Sequence, residues 1–391
     1  MNKKLLTTLF AGLALGLSGC SYSAQEAPYE ADPVLQVPKT LQKDAFAFAV
    51  FQSQATASLA SSERKNLILS PASLENLLGI LREGARGATR AAIDKLSMGQ
   101  RGVKSAMRVE SANALFVDES LQLRPVSVKD IQRLSFADAT GAAETINTWC
   151  KDKTHGLIPE IVTPEDFPSS EPTSMVAANA VYLKEKWLRP FGSDDTHRRI
   201  FQKSNGQTVA VDMMSQKGWF RCAAGADWQA VALFYRTDGR EGEPGCFIAI
   251  LPKGDACRFA AGLTAEKYNA IRLALAKAHP EEVTVNLPKM EMRNGEDSLS
   301  DTLKRLGLDI LFDRDKADFS GFAPELCLKG IRQRCYVKVD EKKTEAAAVT
   351  TSDIIPQCVP TSITFDRPFV WAIGDLTTGA APYFIGVCEQ P

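Results

Sequence analysis

This chain of 391 residues predicts an α+β fold, with helices and strands in no regular alternation. Three observations carry that reading. Segments of helical apolar spacing and short β-rich runs are both present. They follow one another without the strand–helix–strand rhythm of a doubly wound sheet. From about Lys39 to the end, neither a low-complexity break nor an internal repeat divides the chain, so a single domain is the simplest account. At 45% hydrophobic and 24% charged, the composition is that of a globular protein with a large core. A formal net charge of −1 argues against a nucleic-acid binder, which needs a basic face to release counterions. Short basic runs such as Arg198-Arg199 and Lys342-Lys343 read as solvated surface.

The elements follow in chain order. Lys3-Lys4, an apolar run from Leu5 to Leu17 and then Ser18-Gly19-Cys20 have the layout of a cleaved export signal, too short for a membrane helix. Leu17-Ser18-Gly19-Cys20 resembles a bacterial lipobox, which implies a signal peptide over 1–19 and lipidation of Cys20; a plain secretory signal is the alternative. Ser21, not Asp, favours the outer membrane, at the cell surface or its periplasmic face. Residues 20–38 are polar, rich in proline and aperiodic, and read as a tether to a domain spanning 39–391.

Within the domain, Leu41 to Leu59 has helical spacing. Ser70 is the expected cap of a helix that begins at Pro71 and runs through Leu81, and Gly84 and Gly87 mark its end and a turn. Gly84-Ala85-Arg86-Gly87 lacks the Lys-Ser/Thr of a phosphate loop. Strands are expected over Ala177–Leu183, Phe247–Leu251, Val283–Leu287, Tyr336–Val339 and Tyr383–Cys388. Of nine cysteines, no pair has C-x-x-C spacing, so neither a metal nor a redox cofactor is expected. Cys246, Cys335 and Cys388 lie in or beside apolar runs, as small buried hydrophobes do.

Several ordered segments resemble the serpin family and cover nearly everything after Lys39. They are Asn66 to Ser73, Asn147-Thr148-Trp149 with Thr154 to Ile158, Asn179 to Trp187 followed by Pro190-Phe191, Asp366 to Phe369, and Phe384 to Val387. The resemblance implies three β-sheets, about eight or nine helices and an exposed reactive-centre loop over about 341–362. It also implies a sheet-opening region at Ser70, Ser73, Asn179, Trp187 and Gln333, with Trp187 where the loop enters.

The segment Asp340 to Ala348 resembles the hinge of inhibitory serpins, whose cleaved loop inserts as a strand in the central sheet and traps the protease as an acyl-enzyme. Glu341, Lys343, Thr344, Glu345, Ala346, Ala347 and Ala348 would form that hinge. The residues supply their own check. Alternate residues of a strand share a face, and Thr344, Ala346, Ala348, Thr350, Ser352 and Ile354 form a parity with no charge. All the charges from Lys343 to Ile354 lie on the other parity.

The family's spacing, sixteen residues on from Glu341, places the scissile bond between Gln357 and Cys358. Ile355-Pro356 and Val359-Pro360 are X-Pro bonds that most proteases cleave poorly, which leaves the bonds after Gln357 and after Cys358. Ile354, Ile355, Pro356 and Val359 would then face the target. A neutral Gln357 suits a cysteine protease or an elastase-like serine protease better than a trypsin-like one. Cys358 reads as a small residue after the bond, with redox control as the alternative.

Two departures stand out: Lys343 where inhibitory relatives usually carry Gly, and Gln333 where they often carry His. Met98 to Val109 is too short for the heparin-binding helix of some animal members. The implied protein is a monomeric suicide-substrate inhibitor with a target endopeptidase as covalent partner, no catalytic residues and no metal. The alternatives are a non-inhibitory serpin, favoured by Lys343, and an enzyme pairing Cys358 with His155, His197 or His279. No local motif unites that last group, and adjacent Asp194-Asp195 read as surface acids.

Overall fold

The computed structural model describes residues 32–33, 35, 44–96, 105–125, 128, 130–170, 172–183, 185–294, 299–341 and 361–391. The expected residues Cys20, Lys343 to Ala348, Ile354 to Pro356, Gln357, Cys358 and Val359 lie outside these.

Seven α-helices are present among the described residues: α1 Ala45–Leu59, α2 Pro71–Gly84, α3 Gly87–Asp94, α4 Ala139–Lys153, α5 Ala256–Ala261, α6 Ala265–Lys277 and α7 Leu299–Leu303. The strands are β1 Leu67–Leu69, β2 Val109–Asp118, β3 Ile131–Leu134, β4 Met175–Leu183, β5 Thr196–Gln202, β6 Thr208–Ala224 and β7 Trp228–Phe234. They continue with β8 Cys246–Pro252, β9 Pro280–Pro288, β10 Met290–Arg293, β11 Leu328–Val339, β12 Thr361–Thr364, β13 Phe369–Gly374 and β14 Phe384–Cys388.

Their hydrogen bonds trace two sheets. The smaller has the order β10-β11-β4-β2-β3, and the larger runs β1-β14-β13-β8-β7-β6-β9-β12 with β5 beside β6. The 17-residue β6 joins what would otherwise be two separate sheets, because its first half pairs with β5 and its end with β7. This continuity is why two hydrogen-bonded sheets stand where three were expected.

Local chemistry sets the element ends. Asp44 caps α1 by accepting a hydrogen bond from the Ala47 amide at 3.1 Å. Ser70 and Pro71 open α2 as expected, but the Ser70 side chain makes no capping bond. Gly84 is the last residue of α2, and a Cβ there would sit 2.1 Å from the Phe322 ring, so the ring packs against the helix only over a glycine. Gly87 is the first residue of α3, with φ +47°.

The strands that were legible as unbroken apolar runs are buried on both faces. In β8, Cys246, Ile248 and Ile250 face the helical core of α1, α2, α5 and α6, while Phe247, Ala249 and Leu251 face the core between the two sheets. β13 divides likewise, with Val370 and Ala372 on one side and Phe369, Trp371 and Ile373 on the other. At Gly386 a Cβ would lie 2.3 Å from the Leu67 carbonyl oxygen and 2.6 Å from the Trp371 ring, so β1 approaches β14 only across a glycine.

Candidate functional site

The site lies along the seam between β4 and β11, which pair in parallel with Met175 opposite Leu328 at one end and Tyr182 opposite Tyr336 at the other. All nine residues of β4 are buried. Its odd residues point into the main cores. Val176, Ala178, Ala180 and Tyr182 point to the opposite face, where α4 packs. The small side chains at 177, 178 and 180 let layers approach from both sides.

Gln333 on β11 stands in register with Asn179 on β4, and their side chains bridge the seam. The Gln333 amide donates to Asn179 Oδ1 at 2.8 Å and to the Ser70 carbonyl at 3.0 Å, and its oxygen accepts from the Ser70 amide at 2.9 Å. Asn179 Nδ2 donates to Asn113 Oδ1 at 2.8 Å and to Ser73 Oγ, which also contacts Ser111 Oγ. Gln333 and Asn179 are 1% and 0% exposed, so each polar atom here depends on a protein partner. On the far edge of β11, Asn294 Oδ1 accepts from the Cys335 amide at 2.8 Å and its Nδ2 donates to the Gln333 carbonyl. The cluster therefore ties both strands of the seam to the start of α2.

At the upper end β11 outruns its partner, with Val337 to Val339 beyond the last β4 pair and held on the other side by β10. Trp187 Nε1 donates to the Asp340 carbonyl at 2.9 Å. The indole is fixed by stacking on Tyr235 at 4.8 Å and by edge contacts with Phe191 and Phe247. Glu341 meets Lys289 Nζ at 2.9 Å. Burial pushes the Glu341 carboxyl up, but the hydrogen bond and charge of Lys289 oppose this, and it settles below its ordinary value. The same pair raises Lys289. Asp340 and Glu341 are thus held where the chain leaves the sheet; after nineteen intervening residues it reaches β12, which pairs in parallel with β9.

The face opposite α2 is covered by α4 and the chain returning from it. Asn147 Oδ1 accepts from the Ile161 and Val162 amides at 2.8 and 3.1 Å, and its Nδ2 donates to the Val162 carbonyl at 2.8 Å. The return segment is latched to β11 by the ion pair of Arg332 and Asp166. At its start His155, with φ +51°, lies 3.3 Å from Glu110 on β2 and edge-on to Tyr182.

Nothing described here supplies a nucleophile with a base. His197, His279, Asp194 and Asp195 are all exposed. The seven described cysteines are free, and burial pushes their thiols up, Cys150 and Cys222 to about 12. Among the described residues no group of three His, Cys, Asp or Glu side chains is placed to hold a metal.

Sequence reasoning did not single out Lys289, Ser111, Asn113, Asn294, Arg332 or Asp166. The only signal was a polar residue on a strand's buried parity, which Asn113 and Asn179 share.

The Serpin (serine protease inhibitor) family model matches residues 41–391. Glia-derived nexin of Homo sapiens is 27% identical over 357 residues, covering 85% of this chain and 89% of that protein. Alpha-1-antitrypsin of Sus scrofa is 27% identical over 380 residues, with 88% and 85% covered. A protein of Oryza sativa subsp. japonica whose name describes a non-inhibitory serpin (serpin-10) is 29% identical over 378 residues, with 85% and 95% covered. The fold matches native protease nexin-1 solved with heparin, at a TM-score of 0.77 and 23% identity, over 89% of this chain and 98% of that one. Uncleaved ovalbumin matches with a TM-score of 0.74 and 20% identity, over 90% and 100%.

Proposed function

This chain belongs to the serpin family, and from that premise we propose that it is a suicide-substrate inhibitor of a serine or cysteine endopeptidase, exported and lipid-anchored through Cys20 at the outer membrane. The reading rests above all on the β4–β11 seam. Two parallel strands meet there edge to edge, held across the seam by one amide bridge between side chains, with the hinge-like segment leaving at Asp340-Glu341 above them. In this mechanism a protease cuts the loop at the bond after Gln357 or Cys358. The strand from Thr344 onward then enters the seam with its neutral parity inward. The acylated protease is carried along and distorted, which leaves its ester unhydrolysed.

Parting β4 from β11 costs the main-chain hydrogen bonds of their parallel pairing as well as the Gln333–Asn179 bond, and the new strand must also pass beneath the α4 return held by Arg332 and Asp166. Family membership makes inhibition of proteases the general expectation and turnover chemistry the exception.

Mixing residues 21–391 with elastase-like, chymotrypsin-like, trypsin-like and papain-like proteases and running denaturing gels tests the proposal. A band at the summed mass that survives boiling in detergent is expected with an elastase-like or papain-like enzyme, and peptide mass spectrometry is expected to place the cut at Gln357–Cys358 or one bond on. A cut before Asp353 would overturn the assignment of the bond. Clean cleavage across the panel with no such band would favour the second reading, a non-inhibitory serpin. The specific residue behind that reading is Lys343 in the hinge.

A further inference from the structure

Asp32 lies in the segment read as a tether, yet its side chain is 2% exposed. It is buried between two arginines distant in sequence. Arg189 Nη2 pairs with Asp32 Oδ1, and Arg221 Nε lies 3.7 Å from Oδ2. Both arginines are built into the body. Arg189 lies over the Phe220 ring at 5.1 Å, and its carbonyl and that of Pro190 accept from Gln216. Arg221 Nη1 donates to the carbonyls of Ala276 and Ala278 at 3.0 and 2.6 Å, closing the end of α6. Close by, Pro33 shares a hollow with Leu188, Tyr235 and Arg236, while Leu35 packs on the helical core.

We propose that Arg189 and Arg221 form a carboxylate-binding seat for this chain's own N-terminal segment, with Asp32 as the occupant, and that the seated segment steadies the stretch from Trp187 to Pro190 beside the loop base. The coupling runs through direct contacts. Pro33 lines the same hollow as Tyr235, Tyr235 stacks on Trp187, and Trp187 donates to the Asp340 carbonyl. Two unneutralised guanidinium groups at 13% and 14% exposure would repel and desolvate at a cost, so the carboxylate is what lets both stay. Burial nonetheless raises the Asp32 carboxyl despite both arginines, and its Oδ2 has no hydrogen-bond partner among the described residues. The seat thus holds one carboxylate oxygen by a hydrogen bond and the other by charge alone. The consequence for the loop base rests on the protease-trapping reading; the seat itself does not.

Hydrogen exchange and limited proteolysis on the full chain test both parts. Asp32→Asn is expected to speed amide exchange about tenfold at Leu188 and Arg236, whose amides bond the Phe234 and Lys186 carbonyls. It is also expected to make the segment before Ala45 easier to cut. Asp32→Arg should behave likewise, and combining it with Arg189→Asp should bring exchange back towards the parent. Exchange within twofold of the parent in both single variants overturns the seat, as does a swap that restores nothing. Faster exchange with an unchanged half-life of protease trapping keeps the seat and overturns its coupling to the loop base. If the parent traps no protease at all, the functional reading fails while the exchange data still decide the seat.

Discussion

Replacing Gln333 with Met keeps the length of the side chain and removes its three bonds to nitrogen and oxygen partners, the Ser70 amide, the Ser70 carbonyl and Asn179 Oδ1, together with a long contact from Cys335 Sγ. Each bond contributes about 1 kcal/mol net, so the loss is about 3 kcal/mol. It rises further if the stranded groups of Ser70 and Asn179 find no water, since both residues are buried. A domain of about 350 residues unfolds with an entropy near 0.7 kcal/mol/K, which converts the loss into a fall in Tm of about 4 °C. Circular dichroism melting of parent and variant reads that shift directly. The same bonds bridge β4 and β11, so under the proposed mechanism the variant also loses trapping capacity faster on storage at 37 °C. A variant that melts within 1 °C of the parent and stores equally well would refute the idea that this bridge holds the seam. A cycle with Asn179→Ala should show coupling of about 1 kcal/mol between the two positions.

Lys343→Gly is expected to raise the fraction of encounters that end in a covalent complex instead of a cleaved loop, read as band intensities on denaturing gels, because glycine eases the backbone turn at the start of insertion. The Glu341 carboxyl is depressed in the folded state, so its contribution to stability is complete above its ordinary value of 4.5 and is lost as pH falls through the lower folded value. Lys289→Met should remove that acid limb, and melting curves between pH 3 and 6 would show the parent losing more than the variant. Cys20→Ser should move the protein from the membrane pellet to the soluble fraction; equal pelleting would refute lipidation at that residue.

How far the fold could be read depended on where each element buries its side chains. β4 and β8 were visible because both faces are covered and the runs are unbroken. Only the last four residues of β11 were expected as strand, because Gln333 on the buried parity and Arg332 and Arg334 beside it mask the alternation. β6 was missed for a different reason. It changes partners along its length, and the parity facing the core between the sheets shifts at Met213-Met214, from Val211 and Met213 to Met214 and Phe220, so no single alternation runs through Thr208 to Ala224. The two ends of the site were equally unequal. Composition and parity marked the hinge, whereas Lys289 and Asp166 act through pairs distant in sequence, with Glu341 and Arg332. Asp32 carried no signal at all, a single acid in an aperiodic segment whose partners come from residues 189 and 221.

Seating Asp32 also sets the length of a leash. On the proposed anchor at Cys20, twelve peptide steps separate the lipid from the seat, which span at most about 42 Å when fully extended. With the seat empty the leash runs on to Asp44, the cap of α1, and its limit doubles to about 84 Å. Occupancy of two arginines would thus decide how far from the lipid surface the body can patrol. It would also decide whether the edge bearing Trp187 and the loop base is kept turned towards that surface.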